Sequence, residues 1–197
     1  MHLSLLVQTV VRRSALLIAL GAMACLSLTA EVRLASPFTD HLVLQRELPV
    51  PVWGEAAPGE RVRVAFAGQT RETVADEAGR WRVELAAMAT SDETSDEGRI
   101  LEVSGTATAE PLRLADVLVG EVWLASGQSN MDFTVARTEK YTFAGVANEA
   151  EEVASATYPR IRMFKGEWQK AAEPCERVGG RWLVCTPENV REFSAVG

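Results

Sequence analysis

Ser129 has the setting that most invites chemistry. It stands in Ser126-Gly-Gln-Ser-Asn130, which breaks a nearly continuous apolar run, Val117-Leu-Val-Gly-Glu-Val-Trp-Leu-Ala125. Such a run fits a strand buried on both faces of an α/β sheet. A serine at a sharp turn directly after that strand sits at the carboxyl edge of the sheet with its hydroxyl outward, as a nucleophile must. Gly127 would permit the tight turn. A helix starting after Ser129 would add free backbone N–H groups and a dipole that favours negative charge, as an acyl-transfer oxyanion requires, with the Ser129 N–H as one donor. Gln128 and Asn130 flank the serine and suit a supporting role, holding the turn through side-chain to backbone hydrogen bonds. Taken alone, the same residues also describe a plain turn or a helix-capping serine.

Other chemistry-bearing residues are sparse. The cysteines are Cys25, Cys175 and Cys185. In an oxidising compartment Cys175 and Cys185 could join in a disulfide, or remain two separate partly buried thiols. No second Cys or His stands near them to complete a tetrahedral set, so neither a metal nor a cofactor is expected. Trp53, Trp81, Trp123, Trp168 and Trp182 could stack on sugar rings, but most lie in strand-like patterns that point to core packing; Trp168, in a polar stretch, fits this least.

The elements that must position these residues begin after a leader. Arg12 and Arg13 precede the apolar run Ser14–Ala30, the layout of a secretory signal over residues 1–30, with cleavage after Ala24 or, by preference, Ala30. The run falls short of the ~20 residues that span a bilayer, so no permanent membrane span is expected, and the chain reads as exported, periplasmic or extracellular. Cys25 is discarded with the leader unless it is a lipidation site. At 47% hydrophobic and 24% charged residues the composition is globular, and a formal net charge of −7 disfavours nucleic acid as a partner.

From Glu31 to Leu114 the pattern is that of strands. Val62, Val64 and Phe66 alternate with polar neighbours, a hairpin turns at Gly68-Gln69, a second turn falls at Asp76–Gly79, and Trp81, Val83 and Leu85 alternate again. This predicts an all-β sandwich over residues 31–114. The acidic stretch Thr90–Gly98 reads as an exposed loop, with calcium binding a remote alternative because no ordered ligand spacing is evident. Residues 115–197 then change character: the buried strand at 117–125, an amphipathic helix within Ala144–Thr157, a strand at Arg160–Phe164, and a helix start at Thr186-Pro187-Glu188. These elements cannot cover both faces of a parallel sheet, so the second domain is expected to be incomplete.

The string Gly120-Glu-Val-Trp-Leu-Ala-Ser-Gly-Gln-Ser-Asn-Met131 closely resembles the nucleophile block of the sialate O-acetylesterase family, within the SGNH hydrolase superfamily. Asp40-His-Leu-Val-Leu-Gln-Arg46 with Pro49-Val-Pro-Val-Trp-Gly54, Asp76 with Gly79-Arg-Trp81, Ile161-Arg162, and Trp182 with Phe193-Ser-Ala-Val-Gly197 resemble the family in order, from about Pro37 onward. Ala125 departs from it, where relatives often carry cysteine. The resemblance implies a fold in which an all-β sandwich is followed by the start of an α/β SGNH-hydrolase domain. It also implies a carbohydrate esterase with Ser129 as nucleophile, acting on O-acetylated sialic acid or, alternatively, on acetylxylan or another acetylated polysaccharide. In the family the serine works with a histidine and an aspartate of a late Asp-x-x-His block, unrecognisable here. His41 lies in the β-domain motif and reads as structural, and Asp40 as a turn or capping residue. The fragment is therefore expected to be inactive by itself, and a non-catalytic glycan-binding or remnant module stands as the rival.

Overall fold

The computed structural model describes residues 31–90, 98–137, 139, 145–167, 170–173 and 177–196. The leader, most of the acidic stretch, Trp168 and Cys175 lie outside the described residues. Among the described residues the strands are β1 (Arg33–Leu34), β2 (Val43–Gln45), β3 (Val50–Glu55), β4 (Arg61–Phe66), β5 (Gln69–Val74), β6 (Arg80–Leu85), β7 (Arg99–Gly105), β8 (Leu112–Gly120), β9 (Tyr158–Phe164) and β10 (Trp182–Cys185). The structure is mostly β, with a curled sheet and few helices.

Alternation builds the sandwich. One sheet has the order β1-β3-β6, the other β2-β8-β7-β4-β5, and their inward residues form one core that includes Val52, Val62, Val64, Leu85, Leu101, Val103 and Val117. The predicted hairpin is β4-β5, running from Arg61↔Val74 to Phe66↔Gln69. Its two turn residues, Ala67 and Gly68, have φ of 48° and 77°, the left-handed pair that matches the twist of a tight hairpin. At the second predicted turn Asp76 Oδ1 accepts from Ala78 N (2.9 Å) and Arg80 N (2.8 Å).

The apolar run after Asp116 is placed differently from the sequence expectation. β8 runs from Leu112 to Gly120, across the 114/115 division, and belongs to the sandwich: it pairs antiparallel with β7 and parallel with β2, Val43 opposite Leu118. Val117, Leu118 and Val119 are buried in succession because strands flank them and the core lies beneath, which is the origin of their unbroken apolarity. Beyond Gly120 the expected strand does not continue. β2 ends at Gln45, opposite Gly120, and residues 121–128 run on without regular structure. Trp123 is 87% and Leu124 93% exposed, so core packing is not what Trp123 does here.

The remaining elements are short. The expected helix shrinks to α1 (Glu149–Ser155), since Gly145 (φ 103°) and Asn148 (φ 57°) take backbone angles that no α-helix continues. β9 pairs antiparallel with β10, and Met163, Cys185 and Ala156 form a small second core packed by Val190 and Phe193. Thr186 Oγ1 accepts from Asn189 N at 3.2 Å, the capping role expected of it, but the chain then makes only one 3-10 turn, Asn189–Glu192. Among the described residues no helix is long and apolar enough to cross a membrane.

Candidate active site

Ser129 opens a four-residue 3-10 helix, Ser129–Asp132, on an exposed stretch of chain. Backbone bonds from Met131 N to Gln128 O (2.9 Å) and from Phe133 N to Asn130 O (3.2 Å) hold it. The side chains of Gln128 and Asn130 are exposed, and Gln128 makes no capping hydrogen bond, so the backbone rather than these side chains fixes the turn. Gly127 acts by close approach: a Cβ there would stand 2.9 Å from Met131 Cγ, below any ordinary contact. The helix expected after Ser129 is this single turn, and Phe133 is already extended at φ −67°, ψ 120°. No long dipole therefore points at the serine; the turn offers an oxyanion the Ser129 N–H, which has no intrahelical acceptor.

The chain is gripped on both sides of this turn. Before it, Arg46 Nε donates to Glu121 Oε1 (2.6 Å), Gln45 Nε2 donates to Glu121 Oε2 (3.2 Å), and Val122 N donates to Gln45 Oε1 (3.0 Å). The Arg46 hydrogen bond, seconded by Gln45, holds the Glu121 carboxyl below its ordinary range. After it, Thr134 is buried and its hydroxyl donates to Ala136 O at 2.6 Å. Val135 N donates to Phe193 O (3.0 Å), Ala136 N to Arg191 O (2.9 Å) and Ala195 N to Phe133 O (2.7 Å). The chain after the serine is thus a short ribbon laid against residues 191–195.

The two histidines are His2 and His41. His41, at φ 65°, sets Nδ1 2.6 Å from Asp116 Oδ2, and Asp116 also receives the Arg162 guanidinium, with Nη2 3.1 Å from Oδ1. Gly98 N donates to the same carboxylate at 3.1 Å. Burial pushes the Asp116 carboxyl up, but hydrogen bonds and charge from Arg162 and His41 outweigh it, and the net displacement is downward. The Arg162 side chain is 1% exposed, so Asp116 neutralises a charge removed from water. Asp40 Oδ1 accepts from Ala115 N at 2.7 Å, fixing the backbone one residue earlier. His41 and Asp40 are accordingly engaged in architecture, and no hydrogen bond joins either to Ser129.

No protein-family profile matches the chain. Among curated proteins it is 32% identical over 174 residues to a sialate O-acetylesterase from Pongo abelii, covering 80% of this chain and 30% of that protein. It is 33% identical over 145 residues to a sialate O-acetylesterase from Mus musculus, covering 67% of this chain and 24% of that protein. Over this span the chain is homologous to part of the sialate O-acetylesterases. Its structure is similar to the crystal structure of a carbohydrate acetylesterase from Xanthomonas citri, with a TM-score of 0.72 and 36% identity over 83% of this chain and 35% of that one. The chain spans under a third of the length of the first of these relatives.

The sequence alone points to the serine turn but not to the residues that hold it. Gln45 and Arg46 end the Asp40–Arg46 motif, and Arg162 ends Ile161-Arg162; the sequence alone assigns neither motif a role. The signal that points to them is charge: a Gln-Arg pair leaving a strand, and an arginine between the apolar Ile161 and Met163 of a strand, each require a partner. Cys185 is a free, buried thiol whose ionisation burial pushes up, while its prospective partner Cys175 lies outside the described residues.

Proposed function

We propose that this chain supplies the nucleophile of a serine esterase that removes O-acetyl groups from carbohydrate, with O-acetylated sialic acid the first substrate and acetylated plant polysaccharide the second. The observation that carries the reading is Ser129 itself: an exposed serine on a backbone-fixed turn, braced through Glu121 and Thr134, within the stretch that most resembles the family. A neutral imidazole takes the Ser129 hydroxyl proton, and the oxygen forms a bond to the acetyl carbonyl carbon. The Ser129 N–H and further donors hold the oxyanion. The tetrahedral species collapses with release of the sugar hydroxyl, which takes the proton from the imidazolium. Water then attacks the acetyl-serine, assisted by the same imidazole, and leaves acetate and free serine.

His41 is tied to Asp116, so that imidazole is assigned to the SGNH-type hydrolase domain of the intact protein. Export through the residue 1–30 leader accords with an extracellular glycan substrate. The test is acetate release from O-acetylated sialic acid and from acetylated xylan by the intact enzyme and its Ser129→Ala variant. Loss of at least about 1000-fold in kcat is expected for Ser129→Ala with the fold unchanged. Residues 31–197 alone are expected to release almost none. Activity that survives Ser129→Ala would sink the reading.

A further inference from the structure

The sandwich carries a second feature that ester cleavage leaves unused. On the outer face of the β1-β3-β6 sheet the register sets Arg33 opposite Glu55 and Glu55 opposite Arg80; in the next row on the same face Trp53 stands opposite Arg82. Arg177 reaches over this face to pair with Glu55. Together these residues border a recess of about 540 Å³.

The charges do not cancel. Asp76 pairs with Arg80 at 3.0 Å and Glu55 with Arg177, which leaves Arg33 and Arg82 exposed and without a carboxylate partner among the described residues. Two uncompensated guanidinium groups gathered on one face run against a chain whose formal net charge is −7. The half-buried Trp53 is fixed edge-on against Phe38, with ring centroids 4.7 Å apart, so its position costs no ordering when a ligand arrives. Guanidinium groups recognise carboxylates through paired, planar hydrogen bonds, and an indole offers an apolar wall to the C–H face of a sugar ring.

We propose that this recess binds a carboxylate-bearing saccharide, a uronic-acid glycan segment, with Arg33 and Arg82 taking the carboxylate and Trp53 flanking the ring. The site is independent of Ser129. It would hold an acidic polysaccharide on the sandwich, separately from the ester being cut.

Calorimetric titration of the full chain with trigalacturonate, xylotriose and polyglutamate tests this. Saturable binding of trigalacturonate is expected, weakening as sodium chloride is raised, with xylotriose at least about tenfold weaker. The double substitution Arg33→Gln, Arg82→Gln is expected to weaken trigalacturonate by about tenfold or more, as is Trp53→Leu. Both arginines are exposed, so the double variant should melt with the wild type, and Ser129→Ala should bind as the wild type does. Absence of saturable binding, equal binding of xylotriose, or binding unchanged by the double substitution would each overturn the proposal. Polyglutamate binding as tightly as trigalacturonate would also overturn it, in favour of an acidic peptide. None of these outcomes touches acetate release by Ser129, which stands or fails on its own assay.

Discussion

Asp116 shows how much can rest on one carboxylate. It takes hydrogen bonds from His41, Arg162 and Gly98 N, and it does so at φ 55°, a left-handed conformation that Asp tolerates better than most residues. Its folded-state pKa is depressed, so its stabilising contribution is complete above the ordinary carboxylate range and is lost as pH falls through the lower folded value. Asp116→Asn should therefore destabilise the chain by about 3 kcal/mol at pH 7, because the buried Arg162 loses its counter-charge. Urea unfolding should show the difference between wild type and variant shrinking below about pH 4. A constant difference down to about pH 2 would contradict this account. A turn at Ser129 was legible from its neighbours in sequence, whereas the contacts of Asp116 were not, since its partners lie 75 and 46 residues away.

At the scale of elements, β4 and β6 were legible because each is half-exposed, and a period of two leaves its mark in the sequence, whereas β5, with no buried residue, was legible from the turns on either side of it. β8 was legible as a strand but not as a member of the right sheet. An apolar run reports burial on both faces without saying which strands flank it, and here they are β2 and β7 of the sandwich. Leu101 on β7 stands opposite Leu114 of β8 and is fully buried in the core below. Leu101→Ala should cost about 3 kcal/mol and lower the midpoint of urea unfolding without changing its slope. A loss under about 1 kcal/mol would mean that this core relaxes around the cavity. The 3-10 geometry of the turn at Ser129, unlike the turn itself, could not be read in advance, because it is set by Met131 over Gly127 and by contacts of the following residues with 191–195.

In the whole molecule, the segment that carries the serine is suspended between the sandwich and the β9-β10 pair, so its placement depends on how that pair is attached. The buried Arg162–Asp116 pair joins β9 to β8, and Trp182 is the attachment on β10. Its backbone N donates to Thr39 Oγ1 (3.1 Å), its indole N–H to Pro37 O (3.0 Å), and its ring lies 5.5 Å from Phe164 while packing on the sandwich core. Arg177 with Glu55 is a further link, but both side chains are more than half exposed, and such pairs contribute about 0–1 kcal/mol. Trp182 and Arg177 should thus respond very differently to mutation. Trp182→Ala removes packing and one hydrogen bond and should cost about 3 kcal/mol. Because residues 133–136 are bonded to 191–195, it should also open the serine segment to trypsin at Arg137 and Arg191. Arg177→Gln should leave both the melting curve and the cleavage pattern near those of the wild type. If instead Arg177→Gln exposed these sites and Trp182→Ala did not, the attachment would be electrostatic, and the serine turn would owe its position to salt-sensitive contacts rather than to packing.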